Sequence, residues 1–185
     1  MRRATLVVAG SVLLGLAGTA MALSAGGEAS RGEAQQPDTA RAVLRDSAGQ
    51  QVGVATLVQT PDGVLVRTEL TNVPPGVHAF HVHEVGRCDP PSFQSAGGHY
   101  NPFGRQHGIL NASGPHAGDM PNIHVPETRR LTFEVLIPRV TLGQGQATLF
   151  DANGSALVVH AGADDYRTDP AGNAGARIAC GVVVR

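Results

Sequence analysis

The sequence predicts an all-β fold, a sandwich or barrel of about eight short antiparallel strands interrupted by two long loops. Three observations lead there. Short runs rich in Val, Leu and Thr alternate with period two. Gly- and Pro-containing turn signals separate those runs. No segment sustains a helical period, and 24 Gly and 12 Pro in 185 residues suit turns better than long helices.

The first 22 residues read as a signal peptide. Arg2 and Arg3 form a charged start, residues 4–19 are apolar or small, and Ala20-Met21-Ala22 has the small-x-small form of a cleavage site. An uncleaved N-terminal anchor stays open, because the apolar run approaches the roughly 20 residues a spanning helix needs. Residues 23–38 (LSAGGEASRGEAQQPD) are small and polar, bury little surface, and read as a flexible linker. The folded domain is therefore expected over residues 39–185.

Within it, ARAVLRDSAG, QVGVATLVQT and GVLVRTELTNV are the first strand candidates, and Pro61-Asp62-Gly63 predicts a hairpin between the second and third. HAFHVHEV follows. Residues 86–122 then lose the alternation, and Gly, Pro, Asn and His dominate. Strand-like runs return at NIHV, RRLTFEVLIP, QATLFD, ALVVHAG and ARIACGVVV, with a second irregular stretch at residues 161–176. Loops this long inside one domain are functional or pinned.

Charge excludes some classes. The formal net charge is −1 and every basic residue is Arg; loss of Arg2 and Arg3 with the leader takes it to −3. Nothing suggests binding to nucleic acid or to an anionic membrane surface. The two cysteines, Cys88 and Cys180, are expected to form a disulfide in an exported chain, with two separate buried thiols as the alternative.

The histidines carry the chemistry. In a strand, His81 and His83 share one face, spaced to chelate one ion, while His78 lies on the other face with Phe80 and Val82 and reads as a backbone-bonded structural residue. His99, His107 and His116 fall in the first long loop with Asp119 three residues beyond, a plausible four-ligand zinc set that would order the loop. His160 ends the run SALVVH and joins His81 and His83 as a candidate copper ligand. His124 fits neither group and reads as a surface or packing residue.

GVHAFHVHEVGRC, SAGGHYNP, HAGDMPN, LVVHAGADD and GNAGARIACGVV, in this order, resemble the copper–zinc superoxide dismutases over roughly residues 39–185. The resemblance implies an eight-stranded Greek-key barrel. It implies copper held by His81, His83, His99 and His160, and zinc by His99, His107, His116 and Asp119, with His99 shared. It assigns Asp164 to link His81 and His107, Arg177 to stand beside the copper, and Cys88 and Cys180 to the family's disulfide. The implied reaction turns superoxide into oxygen and hydrogen peroxide by alternate reduction and oxidation of copper, with His99 carrying a proton and Arg177 attracting the anion. With the leader read above, the expected setting is the periplasm, cell envelope or extracellular space, with no nucleic acid partner and no membrane partner for the mature domain unless the N-terminal segment stays uncleaved. A homodimer is compatible with the resemblance. Its geometry does not carry over from eukaryotic enzymes, because DPPSFQSAGG between Cys88 and His99 is longer than theirs. The loop at residues 161–176 looks short and lacks Lys. Ala171 stands where a Thr often lines the channel, and Arg167 is a candidate to compensate. Two other classes compete: a copper-delivery protein, which the full ligand set argues against, and an adhesive β-sandwich, which needs no histidine cluster.

Overall fold

Alternating side chains dictate how the strands pack. In the computed structural model, which describes residues 38–185, the order is β1 (Thr39–Asp46), β2 (Gln51–Thr60), β3 (Gly63–Thr71), β4 (Gly76–His78), β5 (Phe80–His83), β6 (Ile123–Val125), β7 (Arg130–Pro138), β8 (Ala156–His160) and β9 (Arg177–Val184). Among the described residues a single 3₁₀ turn spans Gln94–Ala96. The expectations of a signal peptide and linker fall on residues 1–38, of which only Asp38 is described. Among the described residues no helix is long and apolar enough to cross a membrane.

Seven strands form one antiparallel sheet in the order β5-β8-β9-β1-β2-β3-β7, and β4 pairs with β6 in a separate ribbon. The ribbon joins the sheet's two edges: β4 runs into β5 through Ala79, and β6 lies against β7. The sheet curls around an interior filled by one face of each strand, including Ala42 and Leu44 of β1, Leu57 of β2, Val64, Val66 and Leu70 of β3, and Phe80 and Val82 of β5. Phe80 meets Phe133 edge to face at 5.4 Å between centroids, an arrangement aromatic quadrupoles favour. The Pro61-Asp62-Gly63 hairpin forms as expected, with Thr60 opposite Gly63.

Two sequence readings need correction. HAFHVHEV is two strands, because Ala79 leaves the ladder: its N–H donates to Gly162 O at 2.8 Å and its carbonyl accepts from His160 N at 2.9 Å. QATLFD forms no strand. Ala147 and Leu149 are buried, but their backbone closes on Thr141, and Gln59 Oε1 accepts from the Thr141 hydroxyl and Leu142 N–H. The segment folds back on Thr141 through one isolated bridge instead of joining a sheet.

The outer face of β5 and β8 positions the site. His81 stands opposite Val158 and His83 opposite Ala156. Ala156 and Val158 pack with Phe93, Ala96 and Cys180 in a second, smaller core beneath the first loop. Cys88 and Cys180 are disulfide-bonded across 92 residues, fastening that loop to β9.

Candidate metal centre

Strand alternation sends Phe80 and Val82 into the barrel and His81 and His83 out of it, toward the first loop. The loop meets β5 edge-on. Val82 N–H donates to Gly118 O at 3.0 Å, and Val82 O accepts from Tyr100 N–H at 2.8 Å. Bridges pair His83 with His99 and His81 with Asp119. His160 arrives from β8 through a register shift between Val159 and His160, which also sets it opposite Arg177.

The result is two adjoining clusters, His81, His83, His99 and His160 in one and His99, His107, His116 and Asp119 in the other. Within each, one ligand-type atom per residue lies within 4.8 Å of all the others, and every member is buried. In the first, His83 Nε2 and His160 Nε2 are 3.3 Å apart. In the second, the Nδ1 atoms of His99, His107 and His116 stand 2.9, 3.1 and 3.3 Å from Asp119 Oδ1.

The outward nitrogens are held. Asp164 accepts from His81 Nε2 through Oδ2 and from His107 Nε2 through Oδ1, both at 2.9 Å. His83 Nδ1 donates to Gly97 O at 3.0 Å and His160 Nδ1 to Gly175 O at 3.3 Å. Three inward atoms have no hydrogen-bond partner although fully buried: His81 Nδ1, His99 Nε2 and His116 Nδ1. A buried polar nitrogen without a partner is costly. These three point into the two clusters, so the donor set fits two cations: imidazoles alone for copper, imidazoles with a carboxylate for zinc.

Electrostatics favours neutral ligands in the first cluster. Burial, with neighbouring imidazoles and Arg177, lowers His83 to about 2; burial and His81 lower His160 to about 3. Burial outweighs Asp119 and lowers His99 to about 4. In the second cluster burial would also lower His107, but hydrogen bonds to Asp119 and Asp164 prevail and raise it to about 9. Burial would raise Asp119, yet the imidazoles of His107, His116 and His99, close around its carboxylate, hold it far below the usual carboxylate range.

A cavity of about 410 Å³ opens beside the first cluster, lined by His83, His99, His160, Ala171 and Arg177 among others. Arg177 donates to Phe93 O at 2.7 Å and Gly97 O at 2.6 Å. Arg167 lies elsewhere, its guanidinium on Leu110 O at 3.4 Å. His78 bonds backbone on both sides, to His160 O and Pro74 O at 2.9 Å each, and His124 is exposed on β6.

Two supporting residues escaped sequence reasoning. Asn122 exchanges hydrogen bonds with the Asp164 backbone at 2.8 and 2.9 Å. Gly172, at φ +63°, packs so tightly that an added Cβ would sit 1.9 Å from Asp164 Oδ1. Both belong to matched motifs, HAGDMPN and GNAGARIACGVV, but only the contact between the two loops reveals their roles.

Comparison with known proteins agrees. The family described as copper/zinc superoxide dismutase (SODC) matches residues 51–183. Copper–zinc superoxide dismutase 1 of Aquifex aeolicus is 57% identical over 137 residues, covering 73% of this chain and 81% of the relative. The copper–zinc enzyme of Caulobacter vibrioides is 43% identical over 148 residues, covering 78% and 85%. Among solved structures, a superoxide dismutase-like protein from Bacillus subtilis superposes with TM-score 0.75 at 35% identity, covering 77% of this chain and 96% of its own. The Cu/Zn superoxide dismutase of Brucella abortus gives TM-score 0.66 at 27% identity, covering 78% and 99%. With its histidine clusters fitting copper and zinc, the chain belongs to the copper–zinc superoxide dismutase family.

Proposed function

We propose that this enzyme works outside the cytoplasm as an antioxidant, with copper held by His81, His83, His99 and His160 and zinc by His99, His107, His116 and Asp119. The observation that carries the ligand assignment is the pair of nitrogens on His99. Nδ1 faces Asp119 while Nε2 faces the other cluster with no partner. One ring thus belongs to both clusters.

When bound, copper supplies a one-electron couple for superoxide, and zinc supplies a fixed charge without redox chemistry. The chain's own residues do the rest. Arg177 presents a cation at the wall of the cavity, where a small anion can dock against it, and the Phe93 and Gly97 carbonyls set its direction. His99 Nε2 is buried and faces the first cluster, and it is the atom assigned to take up a proton and deliver it to reduced substrate. Asp164 holds the rings of His81 and His107 at fixed orientation. Burial keeps bulk water from His81 Nδ1, His99 Nε2 and His116 Nδ1.

An exported setting is supported by the Cys88–Cys180 bond, since oxidising compartments keep such bonds closed. It is also supported by the leader-like composition of residues 1–22.

The test is metal analysis paired with a superoxide-decay assay on the purified chain. One copper and one zinc per chain with cyanide-sensitive decay supports the proposal. Bound metal without faster decay would mean a copper store, and no uptake of either metal would remove the catalytic reading.

A further inference from the structure

Asp169 has no part in the roles assigned so far. It lies in the second loop, between Asp164 and Arg177. Its Oδ1 accepts the backbone N–H of His107 at 2.6 Å, a contact between residues 62 apart in sequence. The same oxygen stands 3.9 Å from His116 Nε2.

The other five clustered histidines are accounted for. His81 and His107 turn their outward nitrogens to Asp164, His83 to Gly97 O, and His160 to Gly175 O. His99 has no outward nitrogen, since each of its two faces one cluster. Only His116 lacks an outward partner: Nδ1 faces Asp119, and Nε2 makes no hydrogen bond among the described residues. Metal-bound imidazoles donate their other N–H to a carboxylate or carbonyl, which fixes the ring and strengthens it as a ligand. Asp169 is a carboxylate at the required place, and a small ring rotation or one bridging water spans the remaining gap.

Asp169 also precedes Pro170 and Ala171, both of which line the cavity beside Arg177. The side chain that would steady His116 therefore anchors one wall of the substrate opening to the backbone of a second zinc ligand, His107.

We infer that Asp169 is a positioning residue for the zinc site: it orients His116 through Nε2 and clasps the second loop to the first at His107. This rests on the zinc assignment made above.

The experiment uses the full chain as parent, Asp169→Ala and Asp169→Asn. Three readouts apply: zinc release to a chromogenic chelator, the visible ligand-field spectrum with Co(II) in the zinc site, and the urea midpoint of the metal-free protein. Zinc retention in the Ala variant is expected to fall by about 10–100-fold, with an altered Co(II) spectrum. The Asn variant, whose amide oxygen still accepts, is expected to recover part of that loss. Zinc release and a Co(II) spectrum equal to the parent's in the Ala variant would overturn the inference. So would a loss that merely follows the metal-free urea midpoint and is not relieved by Asn. If the Ala variant does not fold, Asp169→Ser decides, because its shorter hydroxyl does not reach His116 Nε2; parental zinc release with a parental spectrum there would overturn it. A parent that takes up no zinc fails the functional proposal itself, which separates the two.

Discussion

Opening the Cys88–Cys180 bond should cost stability and function through separate routes. The bond closes a loop of 92 residues. The chain-entropy relation gives such a loop about 4.6 kcal/mol at 25 °C, a large share of the 5–15 kcal/mol typical of a single domain. The functional route runs through Arg177. Its two carbonyl acceptors, on Phe93 and Gly97, lie in the segment that Cys88 tethers, and Phe93 and Ala96 pack against Cys180. Without the bond that segment keeps its hydrogen bonds to Glu84 and Val85 but loses its covalent tie to β9, so the guanidinium is held in direction less firmly. The assay is urea unfolding of the metal-free protein, oxidised against reduced, with a Cys88→Ala, Cys180→Ala double variant as control. Superoxide decay is then followed across a salt series for the metal-loaded forms. The bonded form is expected to be more stable by several kcal/mol and to show the steeper salt dependence. Equal stability within about 1 kcal/mol would refute the entropic argument, and an unchanged salt slope would refute the link to Arg177.

Three further outcomes follow from the geometry. Arg177→Ala should keep both metals and lose about tenfold or more of its rate at low salt, together with most of the salt dependence; catalysis at the parental rate would remove the guidance role. Gly172→Ala places a methyl against Asp164 Oδ1 at a positive φ, and should weaken retention of both metals by about tenfold or more. Parental metal content after dialysis against a chelator would show that Asp164 moves without consequence. The third concerns pH. His107 is raised to about 9 by Asp119 and Asp164 against the pull of burial, so in the metal-free protein it holds a proton at neutral pH. Zinc must displace that proton from Nδ1. Zinc affinity should therefore climb as pH rises toward about 9 and level off above it, with protons released on binding. Calorimetry in buffers of different protonation enthalpy reads that release, and a pH-independent affinity with no proton release would contradict it.

Much of the site was legible because ligand chemistry leaves marks at short range. The alternation in HAFHVHEV separates His81 and His83 from Phe80 and Val82, and the structure keeps that division. His78 reads as structural for the same reason and proves to bond only backbone. What local pattern cannot show is competition from distant backbone. Ala79 interrupts its strand because Gly162 and His160 claim its polar groups. Leu149 looks like a strand residue because it is buried, yet Thr141 takes its N–H. Asn122, Gly172 and Asp169 matter only where two loops meet, a contact to which no spacing along either loop points.

The sharing of His99 is tested most directly by anomalous diffraction at the copper and zinc edges on crystals of the metal-loaded protein. Two separate peaks flanking one ring are expected. The copper peak should adjoin His99 Nε2 with His81, His83 and His160; the zinc peak should adjoin His99 Nδ1 with His107, His116 and Asp119. A single peak, or two peaks with the residue 99 ring touching only one, would contradict it.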